Sequence, residues 1–549
     1  MKFIYYLFFI LFALTFLSCK KKTDIIKKTE NPPVIPETPL NPPIVPTALV
    51  YLKDDGTLGY NFYANQGEEN KINVIPDFSM AGYKGGGVAI PNVTEVKKTL
   101  SPVTGDNLDQ IQNAINEVEA LTPNSNGIRG VILLTSGNYN VSNTINISKS
   151  GVILRGMGQG SNGTVLKATK TAQHTLINIK GIATSETRTL KKITTPYVAT
   201  GKRGFKIESN AGIAAGDKIM VYRTPNQLWI DDLQMGQYGW TASSYAIGFE
   251  RKVTDVIGDS ISIDGPVVDP MQTKYGGGSV YRINPTQRVS NCGIENMRLT
   301  TVYTGDDDEN HAWVGIELEQ AENCWVKQVT GQYFGYACVS ISAGSYFNTV
   351  EECAMLDPKS QTTGGRKYSF NLEGAASFNL FQRCFTKGGR HDFVTGSRVP
   401  GPNVFLDCLA IETTSDTGPH HRWATGLLFD NISAGQIRVQ DRGASGSGHG
   451  WSGAQTLFFN CKSSRADFMV NSAMGSMNWG IGCIGLSQLG TGYWESWGKN
   501  VSPRSLYLSQ LKDRLGAQAV NNVTSYAQRL GSMEGLLRSW AGNGKLREE

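Results

Sequence analysis

From about residue 289 to 461, short apolar runs alternate with polar positions one residue in two, and turn residues separate them. That period is the mark of strands with one buried face. The runs recur as a unit. Residues 339–343 lead to Gly344, Asn348 and Cys353; residues 370–372 lead to Gly374, Asn379 and Cys384; residues 393–395 lead to Gly396, Asn403 and Cys408. In each copy Asn precedes Cys by five residues. With Asn-Cys292, Asn-Cys324, Asn431 in the Cys place and Asn-Cys461, successive copies lie 32, 29, 31, 24, 23 and 30 residues apart. A repeat of this length, built of short strands, predicts an all-β chain wound as a right-handed parallel β-helix, one coil per copy. Each coil hides its apolar face only against its neighbours, so the unit must recur. The cysteines are expected as an inward stack of small buried side chains rather than as disulfides.

Upstream, Gly105-Asp106-Asn107-Leu108-Asp109 leads into Ile111, Ala114, Ile115 and Val118, one face of an amphipathic helix with acidic residues in its first turn. Runs at 131–134, 137–141, 145–147, 152–156 and 164–166 read as the strands that follow. A helix and then coils in this order resembles the N-terminal cap and first turns of the pectate lyase superfamily. The resemblance implies the β-helix and a family that includes polygalacturonases, phage tailspikes and lyases, many of the lyases using Arg or Lys as base. It specifies fold better than chemistry.

The remaining chain divides around that body. Residues 1–18 have a short basic start and an apolar run too short to span a bilayer, so they read as an export signal. Leu17-Ser18-Cys19 resembles a bacterial lipobox, which implies lipidation at Cys19 and a membrane-anchored lipoprotein outside the cytoplasm. Residues 19–50 are a Pro-rich tether, 51–100 a lead-in, 101–184 the cap helix and first coils, 270–485 the main coils and 486–549 a C-terminal helical cap for the open end. Residues 185–269 break the rhythm and read as an inserted β subdomain. Its Trp229 and Trp240 either stack on sugar faces along a groove or close the insert's own core.

A net charge of +5 over 549 residues gives no case for nucleic acid, and a polyanion would need a local basic patch. No nucleotide loop or zinc spacing is present, no cofactor is required by the pattern, and a monomer is expected. The acidic run from Gly305 to Asn310 leaves room for calcium, an ion some pectate lyases use.

Candidate chemistry gathers between Gly388 and Asn431, which holds His391, His420 and His421 of the six histidines. Aligning Val314, Val339, Phe370, Phe393 and Trp423 as equivalent strand starts puts Tyr368, His391 and His421 in one outward column, flanked by Lys367 and Arg390 on one side and Arg422 on the other. Such a column suits β-elimination across a uronic acid glycosidic bond. A histidine removes the proton beside the carboxylate, arginine neutralises the developing charge, and Tyr368 donates to the leaving oxygen. Which group is base and which acid stays open. His391, His421, Tyr368, Arg390 and Arg422 are the expected catalytic set, with Lys367, Asp392, Arg398, Asp416, His420, Trp423 and His449 around the substrate, an acidic polysaccharide. The rivals are a glycoside hydrolase drawing on Asp392, Asp416 and Asp430, and a non-catalytic glycan-binding β-helix.

Overall fold

The computed structural model describes residues 47–183, 188–284 and 287–547. The expected export signal, Cys19 and nearly all of the tether lie outside these residues. No helix among the described residues is long and apolar enough to cross a membrane.

Each coil returns to the same lateral position and pairs in parallel with the coil before it, which makes the chain a right-handed parallel β-helix. One sheet is a run of seven strands: Ile145–Ile147, His174–Lys180, Ala312–Glu319, Ala337–Ser342, Phe370–Leu372, Phe393–Thr395 and Gly418–Pro419. Every coil contributes two more strands, such as Leu380–Gln382 and Phe385–Lys387, bent against each other at a single corner.

That corner explains the Asn-Cys repeat. Asn291, Asn323, Glu352, Arg383, Asp407, Asn431 and Asn460 all have φ between 50° and 57°, a left-handed kink that Asn tolerates best among residues with a side chain. The kink turns the next residue inward, so Cys292, Cys324, Cys353, Cys384, Cys408 and Cys461 are buried free thiols, as is Cys483 after the same kink at Gly482. Asn431 stands in the kink and not in the cysteine column, as the repeat had suggested. Leu409 pairs with Ser433 and Ser433 with Lys462, which puts Ile432 between Cys408 and Cys461.

Two further stacks fix the register. Asn348, Asn379 and Asn403 are wholly buried, and each side-chain amide donates to the next carbonyl oxygen at 3.0 and 3.2 Å. Phe381, Phe405, Phe429 and Phe458 follow one another at centroid spacings of 5.0 Å. A one-coil slip would leave the buried amides unpaired, at about 1–3 kcal/mol each.

The helix Leu108–Glu119 buries Ile111, Ala114, Ile115 and Val118 on the first coil. At the other end Trp494 and Trp497 pack around Phe468, and they close the stack. The C-terminal helices lie elsewhere than over that open end. Leu506–Leu515 runs along the flank, covering Leu428, Leu457, Phe459 and Trp479 together with the Val50–Leu52 hairpin. Trp540 packs on Phe385, and the Gly542 carbonyl accepts from Thr330 and Arg298, so the tail straps the coils lengthwise.

The insert is a six-stranded antiparallel sheet from Lys191–Lys192 to Gly278–Arg282, reaching past residue 269. A bridge between Ile182 and Gln287 closes its neck.

Candidate functional site

On the seven-stranded sheet Val339, Phe370 and Phe393 are equivalent, as expected, but the alignment fails at both ends. Ile316, not Val314, pairs with Val339. Val394 faces Gly418 and Thr395 faces Pro419, so Thr417 takes the Phe393 position and Trp423 lies just before the next strand, Ala424–Asp430, on another sheet. His391 therefore has Ser415, not His421, in its own column.

The side chains converge all the same: His420 follows Gly418–Pro419 in the ladder, its N–H donating to the Thr395 carbonyl at 3.2 Å, and His421 comes next. Tyr368 lies 5.2 Å from His391 and 5.3 Å from His420, between ring centroids. His391 and His420 are 4.0 Å apart, and His420 and His421 are 5.4 Å apart. His449 completes the group at 4.7 Å from His421. Four of the six histidines thus form one cluster.

Their partners fix the tautomers. His391 Nδ1 sits 2.7 Å from the Asp416 carbonyl oxygen, which only accepts. The proton is therefore on Nδ1, and Nε2 carries a buried lone pair with no protein partner. His420 Nδ1 lies 2.9 Å from Arg442 Nη1, which only donates, so its proton is on Nε2. Burial holds every ring neutral. It pulls the pKa of His391 down to about 4 against the Asp416 carboxylate, with Arg390 assisting. Burial likewise takes His421 to about 3 and His449 to about 4, with nearby arginines adding, and His420 lower still. Tyr368 is pushed up to about 12 by burial, with Arg390 and Arg442 opposing, and stays protonated.

Three guanidinium groups surround the rings. Arg390 donates to the Gly364 carbonyl and Arg422 to that of Ser447. Arg442, which the sequence had not marked, stands between His420 and Asp416, 3.8 Å from the carboxylate. It arrives on the loop from Asp441 to Gly450, where Gly443, Gly446, Gly448 and Gly450 all take positive φ. At Gly450 an added Cβ would strike Met235 and Trp240 of the insert. Trp240 Nε1 donates to the Gly448 carbonyl, so the insert pins the loop that carries Arg442 and His449.

Other expected site residues are placed elsewhere. Asp392 points into the coil, where it accepts from Ser369 and Thr386, and burial raises its pKa to about 6. Trp423 is 1% exposed, bonded through its indole to Asp269 at 3.0 Å and set edge-on to Trp229. Asp392 faces the coil interior and Trp423 the core of the insert, so both point away from the histidine cluster. Lys367 is buried and donates to Thr362. Arg398 is exposed, bonded to the Ser244 carbonyl of the insert and lying over Tyr245. Asp430 caps the flank helix through Ser505 and the Tyr507 amide, outside the cluster. Trp229 and Trp240 are buried and close the insert's own core, Trp240 stacking on Tyr245 at 3.9 Å.

In the acidic loop, Asp306 pairs with Lys359 at 2.9 Å, Glu309 with Arg366, and Asp308 accepts from the backbone N–H groups of Thr304 and Asn310. Among the described residues no group of three or more His, Cys, Asp or Glu side chains is placed to hold a metal.

A second residue missed in the sequence is Glu373. Its Oε1 accepts from Tyr336 Oη at 2.7 Å and from Asn371 Nδ2 at 3.0 Å. Its Oε2 lies over Gly396, where an added Cβ would sit 2.2 Å away. A Glu just past a short strand gives no signal of its own, and Gly396 opposite it reads only as a turn residue of the repeat.

No family model matches this chain, and no curated protein does. Among solved structures it is similar to pectate lyase Pel9A, with 9% identity over 75% of this chain and 81% of that one and a TM-score of 0.39. It is similar to the alginate lyase from Paenibacillus sp. str. FPU-7, with 10% identity, 74% and 99% coverage and a TM-score of 0.36. ORF18 of Geobacillus virus E2 matches with 12% identity over 73% of this chain and a TM-score of 0.35, and only 59% of that chain is spanned. These are likenesses of architecture.

Proposed function

We propose that this chain is a polysaccharide lyase that cleaves a uronic-acid-containing polysaccharide by β-elimination. The observation that carries the reading is the unpartnered lone pair on His391 Nε2, held in orientation from behind by the Asp416 carbonyl, beside a protonated tyrosine and among three arginines. His391 takes the proton on the carbon next to the carboxylate. The electron pair forms the new carbon–carbon double bond, and the glycosidic carbon–oxygen bond breaks. Tyr368 gives its proton to the leaving oxygen. Arg422, Arg442 and Arg390 neutralise the carboxylate as charge builds on it, the larger part of the barrier in such a reaction.

Hydrolysis is served less well. It needs two facing carboxyl groups, yet Asp392 and Asp430 are interior, and Asp416 is held between His391 and Arg442. The test is the ultraviolet absorbance of an unsaturated uronate released from alginate, pectate, ulvan, glucuronan or glycosaminoglycans. His391→Gln and Tyr368→Phe are each expected to lower the rate by about 10²–10⁴-fold. Product formation unchanged in either variant sinks the assignment. Glycan binding without any product, in the wild type, leaves a binding protein instead.

A further inference from the structure

The outer face of the seven-stranded sheet changes sign along its length. Leu372 pairs with Thr395 and Thr395 with Pro419, so the outward column runs from Glu373 through Gly396 to His420. At the coil spacing, Glu373 and His420 stand roughly 10 Å apart, and the Glu373 carboxylate leans over Gly396 between them. The histidine end is ringed by Arg390, Arg422 and Arg442. The other end carries Glu373 and, two coils further, Glu317, whose carboxylate is held by the hydroxyls of Ser342 and Thr175. Neither glutamate forms an ion pair among the described residues, whereas Glu319 beside them pairs with Lys180.

Three other features mark the Glu373 end as built to receive something. Asn371 is wholly buried, gives its amide to Tyr336 and Glu373, and keeps an Oδ1 with no partner. Trp313 and Tyr336 lie nearly parallel, 14° apart at 6.4 Å, as an aromatic platform in line with Tyr368. Gly396 has an ordinary negative-side backbone, so its want of a side chain serves space and not conformation; any Cβ would displace the Glu373 carboxylate.

We infer that Glu373, Asn371 and the Trp313–Tyr336 platform form a subsite for an uncharged or amino sugar next to the arginine-lined basin, so that the polymer bound is a mixed one in which uronate alternates with a non-acidic unit. This rests on the lyase reading for the basin itself. A carboxylate with a free oxygen welcomes the hydroxyl or ammonium donors of such a sugar and repels a second uronate. The aromatic faces take the apolar side of the ring. A homopolymer of uronate would have to lay its charge on Glu373 and Glu317.

The experiment uses the full chain carrying His391→Gln, so that turnover does not intrude. Calorimetric affinities are compared for hyaluronan oligosaccharides, in which uronate alternates with N-acetylhexosamine, and for all-uronate oligogalacturonates of equal length. The alternating chain is expected to bind about tenfold more tightly. Glu373→Gln, which keeps the bonds to Tyr336 and Asn371, is expected to erase most of the difference by improving the all-uronate ligand. Equal binding, tighter binding of the all-uronate chain, an unchanged ratio in Glu373→Gln, or failure of both ligands to bind overturns the inference. Product release by the unmodified protein is read separately: preference in binding with no elimination retains the subsite and removes the lyase.

Discussion

His391 is a neutral imidazole because burial outweighs its one favourable neighbour, Asp416, and because Arg390 and Arg442 face it. The sign of the pH effect follows. Its pKa is about 4 in the folded chain and near the ordinary 6.5 unfolded, so the unfolded chain binds more protons between those values. Stability is fully present above about pH 6.5 and is lost as pH falls toward 4. Denaturant titrations across that window are expected to show this fall, and His391→Gln to remove up to about 1.4 kcal/mol per pH unit of its slope. A slope unchanged in the variant means the ring is already solvated. The same depression leaves the base unprotonated in mildly acidic solution. At this scale the sequence was informative about residue types: histidines, tyrosine and arginines recurring beside the strands of successive repeats. It was silent on tautomers, which depend on a carbonyl 25 residues away and on Arg442, a side chain inside a glycine-rich loop with no motif.

The insert and the Asp441–Gly450 loop act as a pair, since Trp240 supplies the indole N–H that holds Gly448. Trp240→Phe keeps the stack on Tyr245 and removes that bond. We expect a loss of about 1 kcal/mol locally, faster amide exchange from Gly443 to Gly450, and a lower kcat/KM with the melting of the coils unmoved. Wild-type exchange in the loop would show that the bond does not pin it. The elements themselves were legible because Asn-Cys marks a corner and an inward residue at once. The register was lost where the pattern gave out. The strand at Gly418–Pro419 has two residues and no apolar signature, so the next apolar residue, Trp423, was taken for its start. Trp423 is apolar for another reason: it packs against Trp229 and Trp240 of the insert, a contact no local pattern announces.

Repeat folds are held together mainly by neighbours, so their ends fray independently. This chain adds a fastening across the repeats. The tail starts with Arg504 on Asp407 and Ser505 on Asp430, and it finishes with Trp540 on Phe385 and Gly542 against Thr330. Removing residues 504–549 is expected to bare Leu428, Leu457, Phe459 and Trp479 and to split one sharp thermal transition into several broad ones. Calorimetric and van't Hoff enthalpies that still agree after the deletion would show that the coils need no strap. The helical character of this segment was readable from its sequence; its course along the flank was not, because the apolar residues it covers are outward positions in coils far upstream.

A fastening that follows the coils in chain order also sets an order of events at the ribosome. Every coil emerges before the piece that binds them, with a stripe of leucine and phenylalanine left bare along one side. Until the strap has been made, the growing stack must be shielded or must wait, and a message that stops between the coils and the strap would leave a very sticky product.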